Sequence, residues 1–159
     1  LLVKTPKHID RIDRRILSEL QSNGKISNVE LSKLVGLSAS PCLERVRRLE
    51  AQGYIEGYYA RLTPEKLGAA MLVFVEITLV KTSVDIFAEF SSAVQEHEDI
   101  QECHLVSGNF DFLLKTRVAD MSSYRKLLGD TILRLPGVSE SRSYMVMEEV
   151  KHTSKIRVA

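Results

Sequence analysis

Residues 27–53, SNVELSKLVGLSASPCLERVRRLEAQG, decide how the rest of the chain is read. Ser27 followed three residues later by Glu30 is a capping box, which predicts a helix start. Leu31, Leu34 and Val35 then share one face at helical spacing. Gly36 is expected to end the helix, because glycine alone takes a left-handed C′ position without steric cost. Leu37 is expected to drop into a core, and a second helix to begin within Ser38-Ala39-Ser40-Pro41. Either Ser38 caps it, or Ser40 does with Pro41 at the first helical position. On this second helix Cys42, Val46, Leu49 and Gly53 fall on one side and are expected to pack inward. Ser40, Glu44, Arg47, Arg48 and Ala51 are expected to face outward, with Arg45 on the boundary. Two helices around a glycine turn, the second with a basic outer face, describe a helix-turn-helix. That motif sets its second helix in the major groove of DNA with its early residues at the base edges. The expected DNA-contacting set is therefore Ser38, Ser40, Pro41, Glu44, Arg45, Arg47 and Arg48. A merely solvated helix face also carries arginines; the capping, the glycine turn and the basic excess together favour the motif.

Charge along the chain agrees with this. Residues 1–62 hold 11 Lys+Arg against 7 Asp+Glu, and residues 63–159 hold 11 against 14. A basic front and an acidic back imply that the front alone meets a polyanion. At 159 residues, 44% apolar and 27% charged, the chain has room for one medium domain or two small ones of ordinary globular composition. Cys42 and Cys103 lie in different segments without a CxxC neighbourhood, and reduced thiols in a cytosolic protein are expected. MLVFVEITLV is half the length of a membrane span, and no signal peptide is read. The expected setting is cytoplasmic.

Upstream, residues 1–8 show no period and are expected to be a loose arm. Asp10 should cap a helix whose stripe is Ile12, Ile16, Leu17 and Leu20, ending at Asn23-Gly24. That helix buttresses the motif, and its Arg11, Arg14 and Arg15 are as well explained by solvent as by phosphate. Downstream, YIEGYYARL predicts an extended strand leaving the first domain, free to pair across a dimer. Thr63-Pro64 ends it, and residues 65–68 should form one helical turn. MLVFVEITLV (71–80), apolar on both faces, predicts a central strand. Val84, Phe87, Phe90 and Val94 repeat at helical spacing. A strand is expected over 100–106, a turn at Ser107-Gly108-Asn109, and a return strand over 112–118. Tyr124, Leu127, Leu128, Ile132 and Leu135 mark one helix closed by Pro136-Gly137, and 138–149 the last strand. The order βαββαβ is the ferredoxin-like split unit, with two helices on one face of an antiparallel sheet. MLVFV and SYMVM should leave apolar side chains on the other face, so a homodimer is expected to cover it.

With these pieces in place the chain resembles the Lrp/AsnC, or feast/famine, family of bacterial transcription regulators over about residues 9–150. IDRIDRRILSELQSNGKISNVELSKLVGLS resembles the family's opening, and SPCLERVRRLEAQGYIEGY its recognition helix and linker strand. LVFVEITL, IQECHLVSGNFDFLLKTRV, YRKLLGDTILRLPGV and YMVMEEVK resemble its effector domain. The resemblance implies an α+β chain: a three-helix winged-type helix-turn-helix domain (1–53), a strand linker (54–66), and a ferredoxin-like, RAM/ACT-like domain for effector binding and oligomerisation (67–159). It implies dimers that assemble further into tetramers or octamers, double-stranded DNA as partner, and a free amino acid such as leucine as effector. It also implies activation at some promoters, repression at others, and a place on the bacterial nucleoid. Carried over by position, the effector pocket would involve Leu105, Gly108, Asn109, Phe110, Asp111, Met121, Tyr144, Met145 and Val146. Met145 stands where the family commonly has a branched aliphatic residue.

The pocket also has a case from chemistry alone. A zwitterion with an apolar tail needs an anion, backbone N–H groups and apolar walls. Asp111, the Gly108-Asn109 turn, and Leu105, Met121 and Met145 are candidates for these roles. An ordinary hairpin glycine with a turn aspartate accounts for the same letters. Two rivals are disfavoured. Glu102, Cys103 and His104 invite an enzyme or metal centre, but strand neighbours point to opposite faces, and no phosphate loop, nucleophile elbow or HExxH occurs. His8, His97 and His152 fall at loop or terminal positions. An amino-acid-binding module that never touches DNA would not need the basic face of 38–48. No metal, no catalytic residue and no cofactor beyond the amino acid is expected.

Overall fold

A computed structural model describes residues 9–80 and 85–158. The expected arm at 1–8 and the expected helical position of Val84 lie outside the described residues. The chain forms two compact units: residues 9–61 with the tail 152–158, and Leu62–Lys151.

The first unit holds three helices, α1 (Arg11–Ser22), α2 (Asn28–Val35) and α3 (Ala39–Ala51). Asp10 and Asp13 cap α1 reciprocally, the Asp13 N–H donating to Asp10 Oδ1 at 2.8 Å and the Asp10 N–H to Asp13 Oδ2 at 3.3 Å. Ser27 and Glu30 do the same for α2. Gly36 closes α2 with φ 74°, the left-handed value its position requires. Ser38, not Ser40, is the N-terminal cap residue of α3, and its side chain makes no capping bond. Ile16, Leu31, Val35, Cys42 and Leu49 form the buried core. Leu34 departs from expectation at 43% exposed: an eight-residue helix with two neighbours buries a narrower stripe than the sequence offers.

Over 54–62, where a strand was expected, no ladder forms among the described residues. The tail corrects the expected domain limits. It returns to the first unit, where the Ile156 N–H donates to Gln21 Oε1 at 2.8 Å and Gln21 Nε2 donates to the Ile156 carbonyl at 3.0 Å.

The second unit is an antiparallel sheet in the order β2-β3-β1-β4, with β1 at Met71–Leu79, β2 at Ile100–Leu105, β3 at Phe112–Val118 and β4 at Val138–Met145. Helices α4 (Ile86–Val94) and α5 (Met121–Asp130) complete the βαββαβ order. Val73, Val75, Ile77 and Leu79 alternate into a core with Phe90, Phe112, Leu114, Tyr124 and Ile132. The rings of Phe90 and Phe112 lie 4.5 Å apart between centroids. Two expected elements are shorter than read. The helix after Met121 stops at Asp130, and Ile132 enters the core from a separate 3-10 turn, Ile132–Arg134. The last strand stops at Met145, short of Glu149. Gly137, at φ 74°, sits where any Cβ would run into Ile86.

The face of the sheet away from that core is not the apolar surface expected. Register sets Phe74 opposite Lys115 and Tyr144, Glu76 opposite Leu113 and Arg142, and Glu102 opposite Lys115. Alternation that sends apolar residues of β1 and β3 inward leaves Glu76, Lys115 and, on β4, Arg142 outward, so Phe74, Leu113 and Tyr144 stand among ions.

Candidate nucleic-acid interface and ligand recess

Helix α3 divides its polar residues between two faces, and the division differs from the expected one. Ser40, Glu44 and Arg47, at steps of four and three, form one exposed ridge. Arg47 has no ion pair among the described residues. Ser38 and Pro41 are exposed at the helix start. Arg45 and Arg48, three apart, turn instead toward α1. Arg45 Nη1 donates to Asp10 Oδ2 at 2.6 Å and to Asp13 Oδ1 at 2.9 Å. Arg48 Nη2 donates to both oxygens of Asp13 at 2.7 Å. Arg48 is exposed, as expected, but its guanidinium is taken up by a carboxylate of α1, which Arg47, 100° of helix away, does not reach. The Asp13 side chain is 3% exposed, against 25% for Arg45 and 47% for Arg48. The Asp13 backbone N–H and the Arg45 guanidinium hold the Asp10 carboxyl below its ordinary range. Asp10 and then Asp13 raise Arg45.

In the second unit a recess of about 140 Å³ opens beside the turn between β2 and β3. Glu76 and Thr78 from β1, Asn109 and Phe110 from the turn, and Glu140, Ser141 and Arg142 from β4 line it. Two of the expected effector residues, Asn109 and Phe110, are therefore brought together. Gly108 sits in the same turn at φ 148° but does not line the recess. Asp111 does not line it either: its Oδ2 accepts the Leu79 N–H at 2.8 Å, and its own N–H donates to the Ile77 carbonyl at 2.9 Å. A carboxylate so engaged braces the end of β1, which weakens its expected part as the ammonium's partner. Leu105, Met121, Tyr144 and Met145 are exposed and Val146 half-buried, and none of them lines the recess. The Glu76 carboxylate beside the Tyr144 phenol pushes its pKa up.

Three residues that the sequence reading passed over, Glu76, Glu140 and Arg142, are the recess's charged groups. Glu76 interrupts an otherwise apolar strand, and that interruption was the available signal. Elsewhere on this face Lys115 donates to Glu102 Oε1 at 2.6 Å, and His104 lies 3.2 Å from the other oxygen. Lys115, then His104, hold the Glu102 carboxyl low. Cys103 points to the opposite face and packs against the core, its thiol pushed up by burial. Among the described residues no three His, Cys, Asp or Glu side chains gather in a metal-holding group. No described helix is long and apolar enough to cross a membrane.

A three-helix head with an exposed ridge on its third helix, followed by a ferredoxin-like unit with a polar recess, defines a DNA-binding transcription regulator with a ligand-sensing domain. Residues 9–56 match the model of the winged helix-turn-helix DNA-binding family, and residues 72–156 match that of the Lrp/AsnC ligand binding domain. The chain belongs to the Lrp/AsnC family. It is 67% identical to the leucine-responsive regulatory proteins of Klebsiella pneumoniae and Escherichia coli K12, over 94% of this chain and 92% of each of those. Among solved structures, a transcriptional regulator of Neisseria meningitidis in complex with L-methionine superposes with a TM-score of 0.91 at 35% identity, covering 94% of this chain and 97% of that one. A feast or famine regulatory protein of Mycobacterium tuberculosis complexed with L-methionine gives 0.87 at 30% identity, over 96% and 100%.

Proposed function

We propose that α3 reads DNA through the ridge of Ser40, Glu44 and Arg47, and that a free amino acid, leucine or another small one, enters the recess beside Asn109 and Phe110 and alters assembly or DNA affinity. The observation that carries the effector half is the charge of that recess. Arg142 suits a carboxylate, Glu76 and Glu140 suit an ammonium, and Phe110 offers an apolar wall. The L-methionine bound by the two solved relatives supports an amino acid as ligand. At about 140 Å³ the recess falls below the ~300 Å³ at which ligand pockets usually begin. A second copy of the chain therefore supplies the remaining walls, and Leu105, Met121 and Met145, exposed on one subunit, are the surfaces offered to it. Assembly begins with a dimer and extends to tetramers or octamers. The protein works in the cytoplasm on nucleoid DNA, activating or repressing by promoter.

The test is a calorimetric titration of the common twenty amino acids into the protein, with mass followed by light scattering. One small apolar amino acid should bind and shift the mass, and Arg142→Ala should abolish both effects. Binding undiminished in Arg142→Ala would move the site elsewhere.

A further inference from the structure

Helix α3 carries three arginines, Arg45, Arg47 and Arg48, and two of them are held by acids at the start of α1. Asp13 is almost fully buried, and each of its oxygens accepts from a guanidinium. Asp10 takes a further bond from Arg45 at 2.6 Å. Two carboxylates thus neutralise two guanidinium groups on the element that approaches DNA, and Arg47 is left exposed beside them. Fork-shaped pairing of this kind fixes direction as well as charge. A bound guanidinium cannot release counterions from a phosphate, and that release is what gives sequence-independent affinity.

We propose that Asp13 is a positioning residue that sets DNA specificity: by holding Arg48 against α1, and Arg45 jointly with Asp10, it withholds cations from the phosphate backbone. Non-specific binding stays weak, and discrimination is left to the ridge of Ser40, Glu44 and Arg47. The inference rests on α3 being the element that meets DNA, and the two fail separately. Arg47→Ala with unchanged affinity would displace α3 as the reader; the following measurements address Asp13.

Full-length protein and Asp13→Asn are compared for binding to a fluorescent 30-base-pair duplex of random sequence across a salt series, with circular dichroism monitoring the fold. Asparagine keeps the size and the capping oxygen but removes the charge. Arg45 stays with Asp10 and Arg48 is released, so the magnitude of the slope of log K against log salt should grow by about 0.9, and affinity lost between about 50 and 200 mM salt should deepen roughly threefold. Adding Arg48→Gln to Asp13→Asn should return the slope to that of the unmodified protein. A slope unchanged in folded Asp13→Asn overturns the proposal, because a purely structural Asp13 would alter stability and leave the slope alone. Arg48→Gln alone gives an independent reading if Asp13→Asn does not fold. With Asp13 still paired to Arg45, its slope should match the unmodified protein, whereas a slope shallower by about 0.9 would show Arg48 already on a phosphate and overturn the proposal.

Discussion

Arg47 and Arg48 are neighbours in the sequence and both exposed, but Arg47 has no ion pair among the described residues and Arg48 is bound to an acid 35 positions away. Arg47→Ala should weaken binding to a specific operator by about 1–3 kcal/mol if it makes a base contact, with circular dichroism and thermal melting unchanged; equal affinity in a gel-shift titration would remove it from the reader. The ridge on α3 was legible as a stretch but not as a face. Helical periodicity fixes directions on α3 to within a residue or so and says nothing of a carboxylate on α1. Asp111 teaches the same lesson, since the Leu79 N–H that engages it belongs to a strand more than 30 residues earlier. Tyr58 makes a further residue-scale prediction. Its hydroxyl donates to Glu50 Oε1 at 2.9 Å, and burial together with that carboxylate pushes its pKa up to about 12. The phenol of the unfolded chain ionises first, so the stability it contributes is complete below pH 10 and is lost as pH rises toward 12. Tyr58→Phe should flatten alkaline unfolding over that window, and an unaltered profile would show the contact to be without weight.

At the scale of the element, caps and alternation were the most legible signals because they are local. Ser27 with Glu30, and Asp10, cap their helices as the sequence indicated, and the four strands of the second unit begin where the sequence placed them. Element ends were less legible. The apolar spacing of Leu128, Ile132 and Leu135 continues past the point where the backbone leaves the helix, at Thr131 with φ −122°. Core contact can follow from a separate turn as easily as from a continuous helix. Register also escaped, since it shifts between Ile100 and Glu102 and between Thr78 and Leu79. The α2 cap yields a prediction of its own. Ser27→Ala should cost about 1 kcal/mol in chemical denaturation. The Ser27 hydroxyl, then its N–H, hold the Glu30 carboxyl below 4.5, its ordinary value. That contribution is present above the ordinary value and lost as pH falls through the lowered one. Ser27→Ala should therefore lessen the acid-side loss of stability, and a curve parallel to that of the parent protein at low pH would contradict the linkage.

Across the whole molecule the unequal charge that pointed to a DNA-binding front says little about how copies meet, because the sheet's outer face mixes signs. Glu76, Glu102 and Glu140 alternate there with Lys115 and Arg142, and Phe74, Leu113 and Tyr144 supply the apolar area between them. A pairing surface of that composition is steered by charge and weakened by salt more than an apolar one. At micromolar concentration the protein should scatter light as a dimer or larger, and a persistent monomer would remove the oligomer from the proposal. The recess supplies the sharper test of how assembly and sensing are joined. If one subunit holds the whole amino-acid site, apparent affinity is independent of protein concentration. If a second copy completes it, ligand and partner each favour the other by the same free energy, because linkage between binding equilibria is reciprocal. Titrations of the effector at about 1 and about 100 μM protein should then give tighter apparent binding at the higher concentration, as mass action requires of a site that forms only in the assembly. Coincident curves, measured over a range in which light scattering shows the mass to change, would place the site within a single chain and leave the exposed Leu105, Met121 and Met145 without a part in it.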